Sequence, residues 1–568
     1  MTQETTTAGI EELLDTAPVG ETPDLAGAFP RLSDDQIRLL SAYGTVRPTR
    51  RGEQLVVEGC SEEQLIVVLS GRVAIVETFG THRRIVRVHG PGRFLGELGL
   101  LTGQVAFFTA VVLDPGEVLE VPAERLRDCS LRDPALADEI VRAYLTRRNL
   151  AIGEGLGFPI IGSRYSADTR ALREFAARNR LPHRFIDLDA DTGAEALLRR
   201  LGVSPADTPV VIWRDRVLRH PDVTELATLV GRRPERPPQR LCDLVVVGAG
   251  PAGLAAAVYG ATEGLVTHVL DAVATGGQAA RSSRIENYLG FPAGISGAEL
   301  AERAEVQARR FGATVTVPAD AVSLDVSGPH LVVGTRGGPS VATRTIIVAT
   351  GARYRRLPVP RLDEFEQTSV YYAATLVEAQ LCVNDQVVVV GGGNSAGQAA
   401  LFLADHAREV RMVVREHDLD EFMSRYLSDR IQRDPRIVVH PHSEVRELVG
   451  DRGVLDAVVV EDTDTGQRQV LPASELMVFI GADPCTSWLV GTVALDSGGY
   501  VLAGYDAAAV DSETDQPSMH RPGLLETSVP GVFAVGDVRS GSVKRVASAV
   551  GEGAMAVRMV HEHLARFR

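Results

Sequence analysis

The residues of this chain best suited to chemistry form two glycine-rich clusters. Gly248-Ala249-Gly250-Pro251-Ala252-Gly253 follows the apolar run 244–247, and Gly391-Gly392-Gly393-Asn394-Ser395-Ala396 follows the run 387–390, about 140 residues later. Glycines at this spacing let a strand turn tightly into a helix and let the backbone approach a phosphate. The free N–H groups and the dipole of the helix start then favour the anion. One such cluster is weak evidence; two, each in strand–turn–helix context, predict two bound dinucleotides. The residue closing each second strand refines this. The run 267–270 ends in Asp271, a carboxylate placed to accept from ribose hydroxyls. The run 408–414 ends in Arg415, a cation suited to the 2′-phosphate of NADPH, while Glu416 and His417 directly after it leave NADH open.

These units need a scaffold, and at 568 residues the chain is long enough for several cores. A formal net charge of −15 argues against nucleic acid and anionic membrane surfaces as partners. The five cysteines (Cys60, Cys129, Cys242, Cys382 and Cys485) are scattered with no C-x-x-C, which predicts a reducing cytoplasm without a disulfide framework or a metal site. No apolar run approaches the ~20 residues of a membrane span, and residues 1–12 have no signal-like apolar core. Residues 1–28 read as a flexible polar tail. Over 29–150, short strand-like runs alternate with Gly52, Gly59, Gly71 and Gly80, which predicts an antiparallel β-roll closed by a helix. Residues 155–233 read in β-α-β-α-β-β-α order, and 234–240, with Pro234, Pro237 and Pro238 among arginines, as a linker.

The body 241–568 resembles low-molecular-weight thioredoxin reductase over nearly its full length. Beyond the glycine clusters, Gly276-Gly277-Gln278 and Glu286-Asn287 match the stretch lining the flavin in that family, and Ala349-Thr350-Gly351 matches the return crossing to the flavin domain. Gly536-Asp537 follows the apolar run 532–535, and the resemblance places Asp537 against the FAD ribityl–pyrophosphate. Lys544-Arg545-Val546 occupies the family's Arg-Gln-Ala slot at the start of the last helix, where the dipole would stabilise charge on reduced flavin. The resemblance implies two Rossmann-like α/β domains, an FAD domain from 241–360 and 489–568 and an NAD(P)H domain from 361–488. It also implies a homodimer, and hinges near 356–366 and 481–488.

The roll resembles the cyclic-nucleotide-binding domain of catabolite-activator-type proteins. Phe94-Leu95-Gly96-Glu97-Leu98-Gly99-Leu100-Leu101 matches that family's phosphate cassette, which makes Gly96 and Glu97 the ligand candidates. The arginine that family places on the phosphate aligns with Ala106, so a degenerate roll kept for dimerisation or signal transmission is expected over one that binds cyclic nucleotide tightly. No helix-turn-helix follows it. The 155–233 unit resembles a glutaredoxin-like thioredoxin fold, with Pro209 in the cis-proline slot. Ser166-Ala167-Asp168-Thr169 fills the position of its redox pair, and hydroxyls cannot exchange with disulfides. An adaptor or docking role is expected instead.

Thioredoxin reductases carry Cys-Ala-Thr-Cys before the second cluster; here Tyr372-Ala373-Ala374-Thr375 stands in that place. Tyr371 or Tyr372 would cover the exposed flavin face, or else pack within its strand. Cys382 reads as a packed apolar residue. Its pairing with Cys485 in a true disulfide reductase needs their Cα atoms within about 7 Å, which sequence alone does not settle. The expected activity is hydride transfer from NADPH or NADH to FAD, and on to a small-molecule or protein acceptor. No side chain reads as a catalytic acid or base. The competing expectation is an FAD-holding redox sensor or adaptor that turns nothing over.

Overall fold

The computed structural model describes residues 13–18, 20–61, 63–79, 82–200, 202–213, 216–233, 241–282, 285, 287–366, 368–372, 374, 379, 382–511 and 522–566. Seven helices matter below: α1 (Glu97–Thr102), α2 (Pro134–Gly153), α3 (Ala167–Arg178), α4 (Pro251–Thr262), α5 (Gly297–Arg310), α6 (Asn394–Ala404) and α7 (Val546–Ala565).

The N-terminal roll is two antiparallel four-stranded sheets. One runs Thr45–Pro48, Glu117–Pro122, Gln64–Val68, Phe94–Leu95; the other runs Gln54–Val56, Thr109–Asp114, Arg72–Phe79, His82–His89. Leu65, Val67, Phe94 and Leu119 fill the space between roll and helices, and α2 closes it with Leu136, Ile140 and Ala143. Asp133 caps α2 by accepting from the Ala135 and Leu136 N–H groups, ahead of a proline in its first turn. Part of the expected tail is packed rather than free. Leu14 and Ala28 are buried, and the Thr22 N–H donates to Val88 O at 3.0 Å. The reason is apolar: Leu14 joins Ala74, Val76 and Val111 on a face the roll would otherwise expose.

The next unit has the strand order His183–Asp187, Phe158–Gly162, Val210–Trp213, Arg216–Arg219, with the first pair parallel and the others antiparallel. Ser166 caps α3 by accepting from the Thr169 N–H, and the Thr208–Pro209 bond is cis. The linker 234–240 lies outside the described residues.

Beyond it stand two doubly wound sheets. The first runs Thr314–Thr316, Thr267–Leu270, Cys242–Val247, Val341–Val348, all parallel, with Val532–Ala534 added to the last and a hairpin (Ala321–Asp325, Leu331–Thr335) at its edge. The second is all parallel, in the order Val370–Tyr371, Glu475–Val478, Gln386–Val390, Glu409–Val413, Ile437–His440. Strands such as Val387–Val390 are buried on both faces, which explains their unbroken valine runs. The chain crosses between the two sheets twice, and the crossings pair with each other, Ala352 opposite Pro484 and Tyr354 opposite Ala482.

Candidate functional site

At the first glycine cluster two positions leave no room for a Cβ. Gly248 has φ +104°, and a Cβ there would lie 2.2 Å from Ala349 O. At Gly253 it would lie 1.8 Å from Gly248 O, so only glycine lets α4 pack this close to its strand. Gly250 caps α4 with no side chain, and proline follows it in the first turn, which leaves the helix-start N–H groups open toward a ligand. Gly277 (φ +55°) faces it; a Cβ on Gly277 would sit 3.0 Å from Gly250 Cα. Asp271 stands at the strand end as expected. It accepts from the Ala249, Val273 and Ala274 N–H groups at 2.8–3.0 Å. Burial pushes its carboxyl up, and those three donors oppose the shift.

Gln278 donates from Nε2 to Ala352 O at 3.1 Å, which ties the loop to the crossing, while its Oε1 is buried with no partner among the described residues. An orphaned acceptor beside facing glycines, at an uncapped helix start, fits a cofactor that brings its own donor. The far side of the site has the same character. Gly536 (φ +71°) packs on Ala252, and Asp537 follows; burial raises the Asp537 carboxyl, and Lys544 opposes this. Arg545 caps α7 with backbone only, so Val546 opens the helix with free N–H groups. Lys544 Nζ lies 4.5 Å from the Tyr500 ring centre. Gly351 has φ +67° and accepts from the Cys485 N–H. Asn287 is exposed, and Glu286 lies outside the described residues.

The second cluster is built likewise. Gly391 (φ +132°) lies against Phe479 O, and Gly393 caps α6 with no side chain. Asn394 Oδ1 accepts from the Ser424 N–H at 2.7 Å, Ser395 is exposed, and Ala396 is buried. Arg415 is 73% exposed, and its Nη2 lies 3.2 Å from Glu416 Oε1. The other Glu416 oxygen hangs over the turn, 2.8 Å from where a Gly392 Cβ would be. An acid therefore sits at this dinucleotide turn beside the expected cation. Sequence reasoning did not find a neighbouring relay: His417 Nδ1 lies 3.0 Å from His442 Nε2, whose Nδ1 lies 3.0 Å from Asp464. These groups are within 4.8 Å of one another, but both His442 nitrogens are already engaged, which describes a hydrogen-bonded relay rather than a metal site. The residues are far apart in sequence, so no motif announced them.

Tyr371 donates to Thr368 O at 2.7 Å and packs on the core of the second sheet. Tyr372 donates to Glu366 Oε1 at 2.7 Å and packs beside Val370 and Leu476. Both take the strand-packing alternative. Ala373 and Thr375 lie outside the described residues. No disulfide joins the five cysteines; Cys382 is fully buried in an apolar core. Burial raises the Cys485 thiol against the pull of Arg353. In the roll, Gly96 has φ +92° with Gln64 O 2.5 Å from its missing Cβ, and Glu97 opens α1; its side chain lies outside the described residues. Ala106 is 2% exposed and carries only backbone bonds to Gly59 and Cys60.

The comparisons agree with this architecture. The family model for pyridine nucleotide-disulphide oxidoreductases matches residues 242–553, and that for cyclic nucleotide-binding domains matches 46–133. The NADPH-dependent thioredoxin reductase 3 of Arabidopsis thaliana is 35% identical over 57% of this chain and 58% of its own length. A 34.2 kDa protein in a rubredoxin operon of Clostridium pasteurianum is 32% identical over 57% of this chain and 98% of its own. The crystal structure of Lactococcus lactis thioredoxin reductase (FR conformation) aligns with a TM-score of 0.51 at 27% identity, covering 57% of this chain and 99% of that one. FAD and NADPH are the cofactors of the thioredoxin reductase family. The chain belongs to the pyridine nucleotide-disulphide oxidoreductase family: it is a thioredoxin-reductase-like NAD(P)H flavoprotein oxidoreductase preceded by a cyclic nucleotide-binding domain.

Proposed function

We propose that this enzyme passes electrons from NADPH or NADH through FAD to an acceptor outside the chain, without a dithiol of its own. When bound, FAD supplies the hydride acceptor and hands the electron pair onward. The residues proposed to hold it are Gly248, Gly250, Gly253, Asp271, Gly277, Gln278, Gly351, Gly536, Asp537 and the start of α7 at Lys544–Val546. Gly391, Gly393, Asn394, Ser395, Ala396 and Arg415 would hold the donor dinucleotide. The turn glycines admit the pyrophosphates, Asp271 orients a ribose, and the α7 dipole with Lys544 favours negative charge at the flavin. Rotation about the paired crossings at 352–354 and 482–484 would bring donor and flavin into register. A cytoplasmic homodimer is part of the same reading.

The observation that carries the proposal is the cysteine inventory: five cysteines with no C-x-x-C and no disulfide, Cys382 sealed in a core, and Tyr372 at the first position of the family's dithiol slot. Anaerobic titration with NADPH and, in parallel, NADH tests it. Uptake of two electrons per chain is expected; four would require a disulfide besides the flavin and would sink the proposal. Ala106 in the cassette and Ser166 in the thioredoxin-like unit favour a second reading, a sensor that holds FAD without turnover. Stopped-flow reduction separates the two: bleaching within seconds means an enzyme, and a flavin still oxidised under excess donor means a sensor.

A further inference from the structure

The loop 271–278 carries Asp271, Gly277 and Gln278, yet it has no regular secondary structure of its own. Its outer side meets the thioredoxin-like unit. Asn179, at the end of α3, donates from Nδ2 to Val273 O at 3.0 Å and to Phe175 O at 2.9 Å. Its Oδ1 accepts from Arg232 Nη2 at 3.2 Å. The same guanidinium pairs with both oxygens of Glu305 on α5, and Glu305 Oε2 accepts from Thr275 Oγ1 at 2.7 Å. Arg309 completes Glu305 at 2.9 Å. Asn179, Arg232 and Glu305 are 4%, 2% and 5% exposed. Arg178, on the same helix as Asn179's cap, pulls the Asp271 carboxyl down against burial.

One buried chain, Asn179–Arg232–Glu305, therefore grips the loop at Val273 and at Thr275. Moving the loop would leave the Asn179 amide without Val273 O and Glu305 Oε2 without the Thr275 hydroxyl, each a buried hydrogen bond lost where no water replaces it.

We propose that the thiol-free thioredoxin-like unit is a clamp that holds the FAD loop in its binding shape, with Asn179, Arg232 and Glu305 as positioning residues. The inference rests on the reading that 248–278 cradle FAD. It makes FAD affinity depend on a unit that need not touch the cofactor, because a preformed loop avoids the ordering cost of binding.

The test uses the full chain stripped of FAD and retitrated, with flavin fluorescence quenching as the readout. Asn179→Ala and Thr275→Val should each weaken FAD binding by about tenfold, since each removes one buried hydrogen bond that holds the loop in its binding shape. Thr275→Ser, which keeps the Oγ donor, should restore affinity to within about threefold of wild type. Melting of the FAD-free variants should stay near that of the wild-type apoprotein, which separates positioning from general destabilisation. Should one variant fail to fold, the other decides. Affinities of both Asn179→Ala and Thr275→Val within about threefold of wild type would overturn the clamp, as would a Thr275→Ser variant as weak as Thr275→Val. A wild-type chain that binds no FAD overturns the cofactor reading and the clamp together, so the two failures are distinguishable.

Discussion

Replacing Arg148 with methionine should loosen the whole N-terminal half from the flavin body, and the structure sets the size of the effect. The Arg148 side chain is 4% exposed on α2, and it donates to Glu302 Oε1 at 3.1 Å, Asn179 O at 2.7 Å and Arg180 O at 2.6 Å. It also donates to the Tyr144 hydroxyl. Methionine keeps the stem's packing and supplies no donor. Breaking a buried ion pair costs about 3–5 kcal/mol, because the remaining charge is stranded. Glu302 retains Arg180 at 3.0 Å, which favours the lower figure, while two carbonyls each lose a donor worth about 1 kcal/mol. The expected loss is therefore roughly 3–5 kcal/mol. At about 2–4 °C per kcal/mol for units of this size, the transition involving the roll should fall by about 6–20 °C. Thermal and urea unfolding, followed separately by far-UV circular dichroism and by flavin release, would show whether roll and flavin body come apart first. A cycle with Glu302→Gln should show a coupling above about 1 kcal/mol. A loss below about 1 kcal/mol, or simple additivity in the cycle, would refute the idea that this junction is held by its buried charges.

Three further outcomes follow from the same geometry. Gly253→Ala would place a Cβ 1.8 Å from Gly248 O, so the turn must open; the protein should purify without FAD and lose about 1–3 kcal/mol or more, by absorbance ratio and melting. Glu416→Gln removes the acid over the second turn and frees Arg415; NADP⁺ affinity should rise roughly 5–30-fold relative to NAD⁺ by calorimetry, and an unchanged ratio would place the 2′-phosphate elsewhere. Burial, aided by Asp385, pushes the Glu475 carboxyl from near 4.5 to about 8. The folded state thus holds a proton that the unfolded chain releases, and wild-type stability falls as pH rises through that window. Glu475→Gln should match wild type near pH 5 and exceed it by roughly 2–4 kcal/mol above pH 8 in urea unfolding; equal pH slopes would contradict this.

Much of this protein was legible because its chemistry is local. Gly248, Gly250, Gly253 and Gly391 act through backbone geometry within a few residues, so their types and spacing already dictated strand, turn and helix. The unbroken valine runs marked strands covered on both faces, and the absent thiols were plain in the letters. Alternatives stayed open wherever the deciding contact was distant. Tyr372 could cover a flavin or pack in its own unit until Glu366 was seen to hold its hydroxyl. Arg415 carried the donor assignment in the sequence, yet Glu416 is the side chain that reaches the turn. The first residues read as a tail because they are small and polar, yet Leu14 packs on the roll with Leu13 and Ala17, Ala28 is buried, and Thr22 bonds Val88.

The sequence by itself determined that two glycine-rich strand–turn–helix units exist, what each is built from, and that no C-x-x-C pair stands in the chain. Only the tertiary structure decided what the N-terminal half does for those turns. Arg148, Asn179, Arg180, Arg232, Glu302 and Glu305 come from three units, with Arg148 and Glu302 alone 154 positions apart, so no spacing rule joins them. A charge acquires a partner through burial in three dimensions, and in one dimension these arginines and glutamates read as ordinary solvated surface.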